Sequence, residues 1–580
     1  MKKITYIFVL FLVLISCDSQ LEQYPKDAIS PETFFNTAND LKLYTNSFYG
    51  ALPSGEGVYN ESVDNIIKNS VSDELRGSRT VPTSGGGWSW GNLRNINFYL
   101  VNSAKCTDEA ARNRYDGVAK FFRAYFYFGM VKRFGDVPWY DTVVSESDST
   151  LLKKPRDSRE LIVSKMIEDL DFAIKYLPET KRVNEVTKWT ALALKSRVCL
   201  YEGTFRKYHA EFNLSGANEL LDESIAASEE LINRSGYTLY STGKPASDYM
   251  NLFASIDPIE SEIILARTFS DALQVYHNVN YYTMTASYGK PGLEKRFINS
   301  YLMRDGSRFT EKEGYETMMF VDEVKDRDYR LSQTIRTPGY TRIGETTKLV
   351  PEFGSTVTGY QLIKFVAGTQ YDTYEKACNS MPIFRFAEML LNYAEAKAER
   401  GTLTQEDLDK SIKRLRDRVG MPTLELSSAN NNPDSYLSNL YPNVSGANKG
   451  VILEIRRERG IELVMENFRW DDVMRWKSGS VFIEQFRGMY FPGVGEYDLD
   501  EDGKMDLCIY KDSKPDAGNL QYLKLDSEIK LENGDKGHIV VNPQIKKVWD
   551  ENKDYLYPIP IQERLLNPYL TQNPGWNDGI

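Results

Sequence analysis

Apolar residues recur every three or four positions through much of the chain, which is the spacing of amphipathic helices. The clearest run, Tyr115–Arg133, carries Phe121, Phe122 and Phe128 on its apolar positions and ends before Gly135. The same pattern appears at Ser158–Tyr176, Thr187–Phe205, Ala217–Asn233, Phe384–Arg400 and Gln405–Val419. Short polar turns join these helices in pairs. The pattern predicts a mostly α fold with a tetratricopeptide-like scaffold of helix pairs, although no clean 34-residue repeat is present.

Two stretches, roughly Gly236–Gly368 and Phe482–Tyr557, lack helical periodicity. They are rich in Gly, Pro, Tyr and turn dipeptides, and this composition is typical of loops with short strands. Because loops on a rigid scaffold commonly carry function, we expect the ligand-binding residues in these parts of the chain or in similar loops.

The segment Gly450–Lys477 is the most highly charged of the predicted helices. Its spacing allows the pairs Glu466/Arg469, Asp472/Arg475 and Asp471/Arg475. We interpret these charges as a structural ion-pair face over a core of Ile455, Leu463, Phe468 and Trp476, in preference to a catalytic site, since charge networks on helices are usually structural.

The composition narrows the function. The 580 residues include 71 Lys plus Arg against 82 Asp plus Glu, and the net charge is −11. This acidic balance, without any dense basic run, argues against nucleic acid as a partner. Three His and five Cys disfavour zinc chemistry and cysteine nucleophiles, whereas 37 Tyr, 27 Phe and 8 Trp suggest either a large core or a surface that stacks on a ligand.

The N-terminus resembles a bacterial export signal. Two lysines follow Met1, and an apolar run from Ile4 to Ile15 is too short to span a bilayer. The run ends in Ile15-Ser16-Cys17, the lipobox pattern, which predicts a signal peptide at residues 1–16 and acylation of Cys17. The alternative is an ordinary signal peptide with a coincidental Cys. Residues 17–30 would form a polar tether to the membrane.

The four remaining cysteines, Cys106, Cys199, Cys378 and Cys508, form no close pair in the sequence. Two disulfides are feasible in an exported protein, but the sequence does not choose among the three pairings. For Cys199, which lies within an apolar helical pattern, we expect a buried free thiol.

Gly87-Trp88-Ser89-Trp90-Gly91 matches the GxSxG pattern of serine hydrolases. That motif requires a strand before the serine, and here a flexible Pro82–Gly86 segment precedes it, so we disfavour a hydrolase. A mobile loop that presents two indole rings to the apolar face of a sugar is the better interpretation. Trp88 is the stronger ligand candidate, because Trp90 could pack where the next helix begins.

An Asp-rich turn lies near the C-terminal end of the chain. Asp498, Asp500, Asp502 and Asp506 alternate with other residues as in a calcium loop, but Ile509 occupies the position of the bidentate Glu that an EF-hand requires. A simpler calcium turn and a solvated acidic turn both remain open. Apart from this ion, we predict no cofactor.

Several segments, in order along the chain, resemble the SusD/RagB family of outer-membrane nutrient-binding lipoproteins. They are Leu21–Pro25, Phe122–Phe128 with the turn Phe134–Pro138, Asp305-Gly306, Asp326–Leu331, Phe384–Ala396, Arg456–Arg475, Tyr557–Pro560, Asn567-Pro568 and Gln572–Trp576. The resemblance implies a helical region at 31–235 packed as one unit with a loop-rich C-terminal region at 236–580. It also implies a non-catalytic lid that captures oligosaccharides over a TonB-dependent SusC-like transporter in the outer membrane.

Binding residues vary widely in that family, so no site transfers by motif. Together with Trp88 and Trp90, we select Tyr281, Tyr282 and Tyr288, which are aromatic residues in a loop-like segment. Two rival functions remain: a binder of a non-sugar nutrient such as peptides, and a secreted glycoside hydrolase, whose paired carboxylates the sequence does not reveal.

Overall fold

The computed structural model describes residues 34–516 and 518–579. The predicted signal peptide at 1–16, the predicted acylation site Cys17 and the predicted tether at 17–30 lie outside the described residues. The helices are α1 (Ala38–Asn46), α2 (Gly55–Tyr59), α3 (Asp73–Arg76), α4 (Gly91–Asn102), α5 (Glu109–Phe134), α6 (Ser149–Leu152), α7 (Arg159–Tyr176), α8 (Lys188–Tyr208), α9 (Ala217–Arg234), α10 (Asp248–Ala254), α11 (Val279–Met284), α12 (Lys295–Ser300), α13 (Phe320–Val324), α14 (Tyr329–Ser332), α15 (Phe386–Arg400), α16 (Gln405–Lys410), α17 (Ile412–Arg418), α18 (Leu426–Asn431), α19 (Ser435–Leu440), α20 (Lys449–Leu463), α21 (Arg469–Arg475) and α22 (Ile561–Leu566).

The strands are short and form small separate sheets. They are β1 (Ile66–Ile67), β2 (Ile263–Arg267), β3 (Gly292–Leu293), β4 (Met381–Arg385), β5 (Phe486–Phe491), β6 (Gly495–Tyr497), β7 (Leu507–Tyr510), β8 (Gln521–Lys524) and β9 (Gly537–Val541). Antiparallel pairs join β1 to β3, β2 to β4 and β5 to β9, and a three-stranded sheet has the order β6-β7-β8 with β7 and β8 parallel. The prediction of a mostly α fold with a loop-rich part that carries short strands is confirmed.

The long helices pack in sequence as antiparallel neighbours. Helix α5 packs on α7, α7 on α8, α8 on α9, α9 on α15, and α15 on α20. Local signals set the helix ends: the Asp108 carboxylate accepts a bond from the Ala111 N–H at the start of α5, and Gly135 ends it with a φ of +71°. Helices α8 and α9 approach so closely that a Cβ on Gly203 would lie 2.9 Å from Leu221.

Two large hydrophobic clusters form the core. One is built mainly from α4, α5, α7, α8, α9, α15 and α20, and the other lies under the loop-rich part. Because α15 packs against α8 and α9, and α20 packs on α15, the core does not divide at residue 235. Within the described residues, none of the helices is both long and apolar enough to cross a membrane.

Two predicted helices are broken in the structure. Gln405–Val419 divides at Ser411, and Gly450–Lys477 divides after Leu463, where Met465 and Asn467 adopt left-handed φ values of 63° and 62°. The second break turns Glu466 inward, where its carboxylate meets Lys364 at 2.7 Å and Arg385 at 2.7 Å. The apolar spacing predicts one continuous helix here, but Glu466 instead pairs with two cations that are 102 and 81 residues away in the sequence.

Most of the charged side chains of α20 and α21 are buried, whereas Lys449 and Asp471 are partly exposed. Glu462, which is fully buried, accepts bonds from the guanidinium groups of Arg330, Arg385 and Arg418, and these cations hold its pKa well below its usual range against the opposing effect of burial. The predicted pair Asp472/Arg475 is present at 2.8 Å. The other two predicted pairs are wrong, because Arg469 contacts Asp64 and Asp471 contacts Lys132.

The four described cysteines, Cys106, Cys199, Cys378 and Cys508, are buried and free. The expectation of a buried free thiol at Cys199 is confirmed, and burial raises the pKa of that thiol to about 12.

Candidate functional site

The glycine-rich loop holds its two tryptophans inward. Gly85, Gly86 and Gly87 all have positive φ, and the Trp88 N–H donates to the Gly85 carbonyl at 2.9 Å. Only 7% of Trp88 is exposed, since its ring meets Phe134 at 4.9 Å and Trp90 at 5.3 Å. Trp90 is half-buried and contacts Tyr140 at 5.4 Å. Of the two, Trp90 therefore has more surface open to a ligand, in contrast to the expectation from the sequence.

Both tryptophans line a cavity of about 550 Å³, which we call the tryptophan cavity. Its walls are mostly apolar and include Trp88, Trp90, Leu93, Pro138, Tyr140, Val144, Leu152, Leu566 and Leu570. The Asn97 amide in its wall already donates to the carbonyls of Tyr140 and Thr142, and Arg94 donates to Val144. Lys153 and Glu563 also line the cavity, but apolar side chains make up most of its wall, so it suits a ligand with a large apolar face.

The GxSxG motif does not form a nucleophile elbow. Ser89 is exposed on the loop, and the segment before it contains no strand. The three histidines contact other groups: His209 the Met474 carbonyl at 2.8 Å, His277 the Asn379 carbonyl at 2.8 Å, and His538 Glu532 at 3.3 Å. The geometry gives the serine no general base among these residues.

Three tyrosines form an aromatic surface elsewhere on the molecule. The centre of the Tyr281 ring lies 6.3 Å from that of Tyr288 and 5.7 Å from that of Tyr374, and both ring pairs meet edge to face. Of Tyr374, 57% is exposed. We call Tyr281, Tyr288 and Tyr374 the tyrosine platform. Tyr282 does not belong to it. Its side chain is fully buried against Tyr59 at 5.3 Å, so the structure removes Tyr282 from the predicted ligand-binding residues.

Polar groups surround the platform and hold its rings. The Tyr288 hydroxyl donates to Glu56 Oε1 at 2.9 Å, and the Ser287 hydroxyl donates to the Tyr281 oxygen at 3.1 Å. Burial, together with the Glu56 carboxylate, raises the pKa of Tyr288 to about 12, so this hydroxyl stays protonated. Aromatic rings with fixed hydrogen-bonding groups at their edges are what a flat sugar with hydroxyls requires.

A lysine continues the polar border of the platform. Lys68 Nζ lies 5.1 Å from the centre of the Tyr282 ring and donates to Asn60, and burial lowers its pKa to about 8. The ammonium is thus fixed beside the rings.

The structure does not bring the predicted tryptophans and tyrosines together. Trp88 and Trp90 pack with the helical core, whereas Tyr282 and Tyr288 pack with the core of the loop-rich part. Sequence reasoning missed Tyr374, which lies in a loop just beyond the segment recognised as irregular. It also missed Glu56, for which the sequence offers no signal.

The Asp-rich turn gathers three of its four predicted residues. Carboxylate oxygens of Asp498, Asp500 and Asp506 lie within 4.8 Å of one another, so a Ca²⁺ ion with its ligands at about 2.4 Å could contact all three. Burial, followed by the charges of Asp500 and Asp498, raises the pKa of Asp506. Asp502 instead pairs with Lys504 at 2.9 Å.

The chain is similar to a family of known proteins. A model of the SusD family matches residues 261–576, which is more than half of the chain. The chain belongs to the SusD family. A second family model, described as starch-binding and associating with the outer membrane, matches residues 92–200. The resemblance noted in the sequence is confirmed.

Two relatives of this SusD-family chain each match 82% of it. SusD-like protein P2 of Formosa agariphila is 25% identical over 513 residues, covering 82% of this chain and 91% of the relative. SusD-like protein P38 of the same organism is 24% identical, with 82% and 92% covered.

Solved structures show the same fold. A SusD-like protein from Bacteroides fragilis has a TM-score of 0.69 at 21% identity, and covers 96% of this chain and 100% of its own. A SusD-like carbohydrate binding protein from the same species has a TM-score of 0.68 at 20% identity, with 93% and 100% covered.

Proposed function

We propose that this SusD-family protein captures an oligo- or polysaccharide without cleaving it and delivers it to a SusC-like TonB-dependent transporter. The observation that carries the proposal is the tyrosine platform. It combines an exposed ring and two half-buried rings, which can stack on a sugar, with the Glu56 carboxylate, which can accept hydrogen bonds from sugar hydroxyls.

The family supports the same class of ligand. The family description matched by residues 92–200 names starch binding and the outer membrane, and one structural neighbour is named as carbohydrate binding. Acylation of Cys17 would tether the protein to that membrane, and the net charge of −11 disfavours nucleic acid as a ligand.

Binding at the platform is expected to be weak. A good stacking contact is worth about 1 kcal/mol, and a dissociation constant of 1 mM corresponds to about 4 kcal/mol, so a few rings and hydrogen bonds give affinity in the millimolar to micromolar range. Repeated binding sites along a polysaccharide, and the transporter itself, would compensate through avidity.

The test compares two exposed tyrosines. Native gels cast with soluble starch, pullulan, laminarin, xylan or alginate measure retardation of the wild type, Tyr374→Ala and Tyr569→Ala. Tyr569 is a matched control, since it is 61% exposed and lies by the tryptophan cavity rather than on the platform. We expect Tyr374→Ala to weaken binding about 5- to 10-fold, whereas Tyr569→Ala leaves it unchanged.

Retardation of both variants to the same extent as the wild type would remove the platform from the proposal. Reducing ends released by the purified wild type would replace capture with glycoside hydrolysis. Calorimetry with a casein peptide mixture addresses the remaining rival, and heat from the peptides without retardation in any gel would favour a peptide binder.

The partner and the anchor need separate tests. Co-purification with the product of a neighbouring SusC-like gene supports delivery. Incorporation of labelled palmitate into the wild type but not into Cys17→Ala supports the lipid anchor. Recovery of the wild-type protein in the soluble fraction would contradict the anchor.

A further inference from the structure

A groove runs along the exposed side of α5, where it faces the segment between α20 and α21. Two adjoining cavities of about 460 Å³ and 180 Å³ form it, and both are lined by Gly129, Lys132, Asn467 and Asp471. These volumes are large enough for a bound sugar unit.

The lining of the groove is polar and aromatic, unlike that of the tryptophan cavity. Lys132 and Asp471 form a half-exposed ion pair at 2.5 Å, and Asn60, Ser62 and Ser72 contribute further polar groups. Trp470 lines the groove as well. Phe482 stacks on one face of this indole at 5.6 Å, so the ring meets the groove with its remaining surface.

Gly129 leaves the floor of the groove bare. It lies in the interior of the 26-residue helix α5, where glycine costs about 1 kcal/mol relative to alanine. Packing does not explain this cost, because a Cβ on Gly129 would meet nothing within 4 Å and the residue is exposed. The missing side chain keeps backbone open to whatever enters the groove.

The groove adjoins the tyrosine platform through the segment 55–60. Glu56, on helix α2, bonds Tyr288 on the platform side. On the groove side, the carbonyl of the next residue, Gly57, accepts a bond from Asn467 Nδ2 at 2.9 Å.

Lys68 makes a second link between the two surfaces. Its ammonium contacts Asn60 of the groove and lies over the Tyr282 ring, whose centre is 5.7 Å from that of Tyr288. The two surfaces are therefore neighbours, separated by one short helix and one lysine.

We propose that the platform and the groove form one extended site, so that the ligand is a linear glycan chain that binds on the tyrosines and continues past Lys68 and Asn60 over Gly129. This inference rests on the proposed function. It specifies the ligand class as chains longer than the platform, rather than mono- or disaccharides.

The experiment measures affinity against chain length by calorimetry. The probes are maltose through maltoheptaose and the size-fractionated oligosaccharides of any polysaccharide that retards the wild type. The variants are Gly129→Leu, which fills the groove from an open helix position with a good helix former, and Tyr374→Ala. Thermal melting of each variant establishes that it is folded.

We expect wild-type affinity to rise about 10-fold from the shortest bound chain to the longest. Gly129→Leu should abolish this rise and leave the shortest bound chain unaffected, whereas Tyr374→Ala should weaken every length. If folded Gly129→Leu binds the longest chains as the wild type does, the extended site is wrong and the platform proposal stands. If no chain binds to the wild type, the proposed function itself is wrong.

Discussion

Replacing Glu395 by Gln tests the buried ion pairs that hold α15 against α21. Glu395 is 1% exposed and accepts bonds from Arg475 at 2.5 and 2.8 Å and from the Trp476 indole at 2.7 Å. Burial disfavours its charge, but the Arg475 guanidinium, the charge of Arg459 and the Trp476 hydrogen bond together outweigh burial and hold the pKa of this carboxyl well below its usual range.

Removing one partner of a buried pair leaves the other charge undercompensated, which costs about 3–5 kcal/mol. We expect the lower end, about 3 kcal/mol, because Asp472 also contacts Arg475 at 2.8 Å. Urea denaturation followed by circular dichroism at pH 7 measures the loss as a lower unfolding midpoint, and urea avoids the charge screening that guanidinium would introduce.

The pH dependence gives a second readout of the same variant. Because the folded pKa lies below the ordinary value of 4.5, the stabilising charge is fully present above pH 4.5 and is lost as the pH falls further. The difference in urea unfolding midpoint between the wild type and Glu395→Gln should therefore become smaller below pH 4.5.

Glu168→Gln serves as the matched control for Glu395→Gln. It removes a solvent-exposed pair with Lys165, so we expect an unfolding midpoint close to that of the wild type. Equal midpoints for the two variants at pH 7, or a gap that widens in acid, would refute the reasoning.

Three further predictions concern the loop, the Asp-rich turn and the groove. Trp88→Ala should lower the free energy of unfolding in urea by about 3–5 kcal/mol, since this ring is packed in the core, while the folded protein keeps its glycan affinity. Weaker glycan binding without lower stability would show that Trp88 contacts the ligand. We propose that Asp498, Asp500 and Asp506 bind a structural Ca²⁺. Millimolar Ca²⁺ should then raise the melting temperature of the wild type but not that of Asp506→Asn, and an equal rise in both proteins would reject the site. Gly129→Ala should raise the free energy of unfolding by about 1 kcal/mol, because alanine is the better helix former and the added methyl group enters open space. A free energy of unfolding below that of the wild type would show that the glycine has a packing role.

The helices of the scaffold are well predicted because their signals are local. Ser158–Tyr176 and Ala217–Asn233 agree with the structure to within one residue, since each carries an apolar face within a short stretch of sequence, and Ser158 also caps the first of them. The prediction of one helix over Gly450–Lys477 is wrong because the contacts at its break are not local in the sequence. Its break depends on Lys364 and Arg385, which lie about 80 to 100 residues away along the chain.

In the candidate site, too, local sequence predicts some features, and contacts between distant segments decide the others. The sequence identifies aromatic residues in loops, but exposure depends on which neighbours the fold supplies. Tyr281 and Tyr282 are adjacent in the sequence, yet the first borders the platform and the second is buried against Tyr59. Tyr374 joins Tyr281 only because the fold brings its loop across more than 90 residues of chain.

The sequence by itself determined the family, the mostly helical scaffold and the expectation of an exported, tethered protein, because these depend on local periodicity and on motifs in a fixed order. Only the tertiary structure decided which rings face solvent, which charges are buried and where Glu56 meets Tyr288. Burial and long-range pairing are set by contacts between distant segments. The glycan platform and the groove beside it are therefore properties of the folded chain, although the aromatic residues that form them are visible in the sequence.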